Sequence, residues 1–461
     1  MRKKSIIFLF VLFPLVVGLA CRFSSKPDPT ATPTEEPIAE VTTEPVEKPT
    51  KTIETQEPES PASRPPQGAG DIAILEPSAW YQDDSEVFFG YLFENQSADV
   101  VYEGVEFTIG IYGVSGNLID SSVIRLPFFY PNTTHGIATS FWLSDEDAPV
   151  DDVDISWTFT GKSSPDASEN PFTAESVVFW ENSGYPLITG KIVNNSSNIY
   201  TDLRADILLY NAAGDVVGGG STYLDFILAD DYMGFTTYAD AYDEVVRVEA
   251  FPTFNYSVSI IDEADYMYGV SVVEDQYREG DFGSLEGGLI IKNETDIVLR
   301  NIYVYVTFYD EDGFITTTGS DYVNLLLPGD TLGLSPWITS QPDETTTTNY
   351  DILLLPFDKD DNYELDKNPF RVDNITLTGD SSKSALVEFT NTYSKEVTEV
   401  DVYVLAYNEE GEIVGGGDTW TSDSISSGGT GEVEVWISYD YSETIDYVEA
   451  WVTPSYWTKF K

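Results

Sequence analysis

Cysteine and histidine are almost absent from this chain of 461 residues, which contains only Cys21 and His135. A single cysteine excludes an intramolecular disulfide and a Cys/His zinc site of the usual kind. A Ser-His-Asp triad would have to use His135. That histidine lies in the turn-like stretch "PNTTHG", where we expect an exposed loop residue. The sequence therefore indicates no catalytic residues, and no cofactor is expected.

Positive charge is scarce as well, with 23 Lys and Arg against 79 Asp and Glu. Nucleic acids and anionic lipids are bound through positive charge, so we expect no nucleic-acid partner. The excess of acids is typical of a solvated, self-repelling surface, and a surface that collects cations is the alternative. With so many carboxylates, some must lie close together by chance. Their number therefore does not predict a glycosidase-type carboxylate pair.

The N-terminus has the pattern of a targeting segment. Three basic residues precede a short apolar stretch, Ile6–Val17, which is too short to span a membrane comfortably. The following "VVGLAC" resembles the lipobox of bacterial lipoproteins, in which Cys21 would become the lipidated N-terminus. Ala20 fits that pattern, whereas Gly18 stands where the family usually has leucine. Residues 1–20 are predicted to be a lipoprotein signal peptide; a secretory signal with an incidental cysteine is the alternative.

Residues 21–70 are rich in Pro, Thr and Glu, and no aromatic residue lies between Ser24 and Ala79. Such a segment buries too little apolar surface to offset the entropy of ordering the chain. We predict a disordered stalk, which could reach roughly 150 Å if fully extended as polyproline.

Two landmarks recur through the rest of the chain. A tyrosine four residues before a glycine recurs at steps of 98, 99 and 98 residues, in "YGVSGNLI" from Tyr112, "YNAAGDVV" from Tyr210, "YDEDGFIT" from Tyr309 and "YNEEGEIV" from Tyr407. An asparagine keeps the same period, as Asn95, Asn194, Asn293 and Asn391. Two landmarks in phase over four copies predict four homologous units.

Period-two alternation precedes each glycine turn. In the third copy Ile302, Val304, Val306 and Phe308 alternate with Tyr303, Tyr305, Thr307 and Tyr309, as on a β-strand with two distinct faces. The predicted strands of the second copy are Ser176–Trp180, Ile188–Asn194, Asp202–Tyr210, Asp215–Thr222, Met233–Tyr238 and Val245–Phe251. We therefore predict an all-β chain of four tandem immunoglobulin-like β-sandwich domains, at 71–161, 172–258, 268–357 and 369–457.

The strand and turn of the third copy carry a family resemblance. "VTFYDEDG" (Val306–Gly313), followed by "LLPGD" (Leu326–Asp330), resembles the FxLYD-type domain of bacterial proteins, although the literal FxLYD motif occurs in none of the four copies. The resemblance implies immunoglobulin-type sandwiches in a secreted or lipid-anchored protein, without catalytic activity.

Other candidate sites are weaker. Asp358, Asp360, Asn362 and Glu364 place oxygen ligands at alternating positions, which suits calcium. The stretch lacks the central glycine of an EF-hand loop, and an acidic solvated linker is the alternative.

The triple glycine Gly218–Gly220 lacks the following helix and lysine of a phosphate loop, so we expect bulge or edge glycines. The sequons at Asn95, Asn194 and Asn293 are interpreted as turn residues. Trp157, Phe251 and Trp451 are interpreted as core or end-cap residues.

The leading functional hypothesis is a non-enzymatic, lipid-anchored surface protein on the extracellular or periplasmic side of a bacterial membrane. Its partner would be an envelope protein or polysaccharide. The alternative is an array of carbohydrate-binding modules, which predicts coplanar, exposed Trp or Tyr rings on one sheet. A third possibility, an envelope enzyme, requires a polar cleft with converging acids.

Overall fold

The computed structural model describes residue 68 and residues 70–461, apart from 84, 145–147, 164–168, 182–184, 262–268, 281–283, 343–344, 361–362 and 380–381. The predicted signal peptide, Cys21 and almost all of the predicted stalk lie outside the described residues. Within them, no helix has the length and apolar character needed to cross a membrane.

The described chain is all-β, as predicted, and its strands pair antiparallel. The first repeat contains β1 (Ile72–Asp83), β2 (Glu86–Asn95), β3 (Val101–Gly113), β4 (Leu118–Phe129), β5 (Thr134–Trp142) and β6 (Val150–Ser163). The second contains β7 (Phe172–Trp180), β8 (Leu187–Asn194), β9 (Ile199–Tyr210), β10 (Val216–Ile227), β11 (Tyr232–Tyr238), β12 (Asp240–Ala241) and β13 (Arg247–Ile261). The third contains β14 (Val270–Glu279), β15 (Leu285–Asn293), β16 (Val298–Tyr309), β17 (Ile315–Leu326), β18 (Thr331–Leu334), β19 (Trp337–Ile338) and β20 (Asn349–Asp360). The fourth contains β21 (Phe370–Thr378), β22 (Lys383–Asn391), β23 (Val397–Tyr407), β24 (Ile413–Thr421), β25 (Thr430–Tyr439) and β26 (Tyr447–Phe460).

One topology recurs in every repeat. A front sheet has the order β1-β2-β5, β7-β8-β11, β14-β15-β18 or β21-β22-β25. A back sheet has the order β4-β3-β6, β10-β9-β13, β17-β16-β20 or β24-β23-β26, and β12 and β19 extend the second and third back sheets. In the fourth repeat β24 also pairs with β25, which joins the two sheets. All six strands predicted for the second repeat are present, and β7, β9, β10 and β13 run further than predicted. The four-domain division and its limits stay a prediction.

The landmark asparagines connect the two sheets of each repeat. Each ends the second strand and is at most 1% exposed. The Asn293 Nδ2 group donates hydrogen bonds to the carbonyl oxygens of Ile297 at 2.8 Å and Leu326, the last residue of β17, at 3.0 Å. Its Oδ1 atom accepts a bond from the Thr295 N–H at 2.9 Å. Equivalent bonds surround Asn95, Asn194 and Asn391. The sequon asparagines are therefore buried structural residues at turns.

The repeated turn glycines have the left-handed backbone that their position requires. Gly116, Gly214, Gly313 and Gly411 have φ angles of 72°, 87°, 84° and 79°, which glycine adopts without steric cost. Each donates its N–H to the carbonyl three residues earlier.

The triple glycine lies at a bulge and a strand edge, as predicted. The register shifts between Val216 and Gly218. A side chain at Gly218 would place its Cβ atom 2.0 Å from the Asp240 carbonyl oxygen of β12. Because glycine has no Cβ atom, these positions allow a neighbouring strand to approach closely, which is a common role of glycine in strands.

Replacing Asn391 by alanine should destabilise the fourth repeat by about 1–3 kcal/mol, because the Lys395 and Ile425 carbonyls and the Tyr393 N–H each lose the hydrogen bond that Asn391 makes. Urea unfolding followed by tryptophan fluorescence would measure the loss. Asn374→Ala removes an exposed asparagine of the same repeat and should change the unfolding free energy by less than about 0.5 kcal/mol. Equal losses in the two variants would contradict the structural role.

Candidate functional site

Consecutive repeats contact each other through the outer faces of their sheets. Phe88 and Ala138 of the first front sheet pack with Leu208 and Val216 of the second back sheet. In the same way Ile290 of the third front sheet packs with Leu405, Ile413 and Trp451 of the fourth back sheet. We call these contact regions the first and third joints. The central strand of each of these back sheets thus has both faces covered.

The contact region between the second and third repeats, which we call the second joint, includes the end of β16 at Tyr309. Lys191 Nζ of the second front sheet lies 5.9 Å from the centre of the Tyr309 ring in the third back sheet. Phe226 and Tyr305 lie 5.5 Å apart between ring centres, and the Tyr305 hydroxyl donates a 3.1 Å bond to Asp225. The outward tyrosines of the third repeat are therefore contact residues of this joint.

Glycines permit the close approach at the first and third joints. A Cβ atom on Gly136 would lie 2.5 Å from the Phe251 ring, and one on Gly333 would lie 2.3 Å from the Trp451 ring. Phe251 and Trp451 are therefore joint residues, which the core or end-cap interpretation did not anticipate. Trp157, by contrast, is 7% exposed in the core of the first repeat, as predicted.

The expectation of an exposed loop histidine is wrong. His135 lies in β5 and is 6% exposed, because the second back sheet covers this strand. Its Nε2 atom is 3.5 Å from Asp206 Oδ2, and Asp206 Oδ1 accepts a hydrogen bond from Arg204. Arg204 and Asp206 are on the outer face of β9 and are themselves buried. This cluster pairs the buried charges of Arg204 and Asp206 at the first joint, beside a cavity of about 800 Å³ that His135 and Phe251 help to line.

Asp206→Ala should destabilise the protein by about 3–5 kcal/mol, since it leaves the buried Arg204 guanidinium without its charge partner. Glu106→Ala removes an acid from the exposed Arg125–Glu106 pair and should cost about 0–1 kcal/mol. Denaturant unfolding of both variants tests this difference. If both variants lose a similar free energy of unfolding, Asp206 stabilises the protein no more than an exposed ion pair does.

The third joint contains a groove of about 620 Å³ in which acids and aromatic rings meet. β15 and β17 of the third repeat and β24 of the fourth supply the acids. The ring-bearing residues come from β19, β25 and the segment after β25. The acidic residues are Glu286, Asp321 and Asp418, and the aromatic residues are Trp337, Trp436 and Tyr441.

Asp321 is the most unusual of these acids. Its Oδ1 atom accepts the Tyr322 N–H at 2.7 Å. Its Oδ2 atom is buried and has no hydrogen-bond partner in the described part of the chain. Desolvation by burial raises the pKa of Asp321, and the negative charge of Asp418 raises it further. Burial and like charge both disfavour the ionised form.

The two other acids are less isolated. Desolvation raises the pKa of Glu286, and the hydrogen bond from Ser438 Oγ, at 3.2 Å, lowers it in part. Asp418 is exposed toward the groove, yet the surrounding protein desolvates it enough to raise its pKa. The groove therefore brings together three carboxyl groups where solvation is poor.

The aromatic side chains of the groove are mostly exposed to solvent. Trp337, Trp436 and Tyr441 are 63%, 68% and 65% exposed. The carbohydrate-binding alternative predicts coplanar exposed rings on one sheet, whereas Trp337 lies in β19 of the third back sheet and Trp436 lies in β25 of the fourth repeat. Sequence reasoning missed the groove because its residues come from two repeats.

The calcium candidates lie in a different setting. Asp358 and Asp360 form part of β20, paired with Arg300 and Val298, whereas Asn362 lies outside the described residues. Glu364 accepts hydrogen bonds from Tyr393, at 2.8 Å, and from Lys395, and these bonds lower its pKa. In the described ranges, no group of three or more His, Cys, Asp or Glu side chains could hold a metal ion. Calcium binding stays a prediction.

Comparison with known proteins yields little. No protein-family model matches the chain, and no curated protein matches it. Among solved structures, the chain has a weak similarity to the C-terminal globular domain of an oligosaccharyltransferase from Pyrococcus abyssi. The identity is 8%, the match covers 63% of this chain and 76% of that chain, and the TM-score is 0.12. A TM-score this low supports no inference about fold or function.

Buried acids at the joints predict a pH effect on stability. Burial raises the pKa of Asp401 to about 6, while a hydrogen bond from Asn324 lowers it in part and the charge of Asp418 raises it. A carboxyl group with a higher pKa in the folded state than in the unfolded state binds its proton more tightly when the protein is folded. This stabilisation is fully present below the pKa of the unfolded state, about 4, and is lost as the pH rises through the pKa of the folded state. Asp401→Asn should therefore flatten the fall in stability between pH 4 and about 6. Thermal unfolding across this pH range tests the prediction, with the exposed Asp423→Asn as control. If stability falls with pH equally in Asp401→Asn and in wild type, the prediction is wrong.

Proposed function

We propose that this protein is a non-enzymatic, lipid-anchored surface protein whose contacting β-sandwich repeats bind a ligand in grooves between repeats. The groove at the third joint carries the proposal, because it combines exposed rings with poorly solvated carboxylates. A few convergent polar groups beside aromatic surface are typical of ligand sites. The partner would be an envelope protein or a polysaccharide.

The proposal includes the N-terminal segment and the family resemblance. Cys21 would carry the lipid, and residues 21–70 would hold the repeats away from a bacterial membrane, on its extracellular or periplasmic side. The resemblance of the repeats to FxLYD-type domains supports this placement, since such domains occur in secreted or lipid-anchored proteins.

Carbohydrate binding is the second candidate. The exposed faces of Trp337, Trp436 and Tyr441 favour it, because amphipathic rings can stack on the apolar face of a sugar. Acids also converge in the groove, as a glycosidase would require. Hydrolysis of an envelope polysaccharide by the purified protein would overturn the non-enzymatic part of the proposal.

A pull-down of the full chain against envelope polysaccharides and surface proteins tests ligand binding. We expect Trp436→Ala to weaken capture, whereas Trp420→Ala should not, since Trp420 is equally exposed, at 65%, and does not line the groove. Capture that is equal for both variants and wild type would move the binding surface away from the third joint.

Cys21→Ser should abolish lipid attachment, because serine lacks the thiol that is lipidated. In the host cell, wild-type protein should incorporate labelled fatty acid and enter the detergent phase. The variant should incorporate none and stay in the aqueous phase. Ser24→Ala is the matched control. A Cys21→Ser variant that still carries the label would disprove the lipidation site.

A further inference from the structure

We propose that the groove at the third joint binds an organic cation with a primary ammonium group, held by Asp321 and flanked by Trp337 and Trp436. This inference rests on the proposed ligand-binding function and specifies the chemistry of the ligand. A free polyamine or a lysine side chain of a protein partner could supply such a group.

The first support is the unsatisfied oxygen of Asp321. Its Oδ2 atom is buried without a hydrogen-bond partner in the described residues, whereas native proteins satisfy nearly all such atoms. An ammonium group has three donors and no acceptor. It would supply the missing hydrogen bond and the opposite charge together, and charge-assisted bonds of this kind are the stronger ones.

The second support is the like charge around Asp321. Asp418 and Glu286 line the same groove, and the charge of Asp418 acts on Asp321. A bound cation would favour the ionised form of Asp321, which burial and Asp418 disfavour, whereas an uncharged sugar would not. The formal net charge of −56 would also attract cations from a distance.

The third support is the composition of the groove walls. The indole rings of Trp337 and Trp436 are mostly exposed, and tryptophan is the best partner for cation–π contacts. The apolar chain next to an ammonium group could lie along the same rings. The groove volume of about 620 Å³ is in the range of small-molecule sites, roughly 300–1,000 Å³.

Calorimetric titration of the full chain with spermidine, at about 150 mM salt to screen the acidic surface, tests the proposal. We expect saturable binding that Asp321→Asn and Trp436→Ala each weaken about tenfold or more, as expected for loss of a charge-assisted contact. Asp423→Asn and Trp420→Ala make the same chemical changes outside the groove and should bind as wild type does. Circular dichroism melting of each variant shows that it is folded.

Further titrations distinguish the sources of the cation. A trilysine peptide that binds with the same variant pattern, while its acetylated form does not, would support a lysine-bearing partner. Binding of spermidine alone would support a polyamine. Equal weakening by groove and control variants would overturn the site in favour of non-specific attraction. Full displacement of spermidine by equimolar Ca²⁺ would overturn it in favour of a metal ion.

The two proposals can fail separately. If an envelope polysaccharide binds and Trp436→Ala abolishes that binding, while spermidine shows no saturable heat, the cation inference is wrong and the groove remains a ligand site. If neither spermidine, trilysine nor any envelope component binds in a way that depends on Trp436, both proposals are wrong.

Discussion

The buried asparagine at the end of the second strand is the interaction on which each repeat depends. Its amide group bonds two carbonyls and one N–H, so that the end of the front sheet is tied to the end of the fourth strand in the back sheet. An apolar side chain would fill the space and leave these backbone groups unpaired, which is costly in a buried setting. This requirement explains why asparagine recurs about every 98 or 99 residues while most neighbouring residues vary.

The asparagine connects the two sheets of a repeat from within. The outer face of a front sheet can then pack against the back sheet of the next repeat. At the first and third joints, glycine makes this contact close. The fourth front sheet differs, because Glu388 and Glu432 take the places that Ile290 and Gly333 hold in the third repeat. Charged side chains thus replace the isoleucine and the glycine that make the close apolar contact at the third joint.

Sequence reasoning predicts what lies within a repeat and misses what lies between repeats. Alternation around Ile302–Phe308 predicted strand β16, and the glycine at position 313 predicted its turn, because both depend on local geometry. His135 was misjudged because its burial depends on a sheet about 70 residues away in sequence. One signal was present: Leu208 and Leu405 are apolar at outward positions of their strands and are fully buried. An apolar residue on the outward register indicates a second contact surface.

The first and third joints differ at one equivalent position on the outer face of the front sheet. Phe88 and Glu286 both lie seven residues before a landmark asparagine, on the outer face of a front sheet. Phe88 is fully buried, with its ring centre 5.5 Å from that of Tyr242, so its ring packs against the second repeat. Glu286 cannot fill the equivalent space without burying its charge, and the space beside it stays open as the groove. At this equivalent position, the first joint has a buried phenylalanine and the third has a carboxylate beside an acidic, aromatic groove.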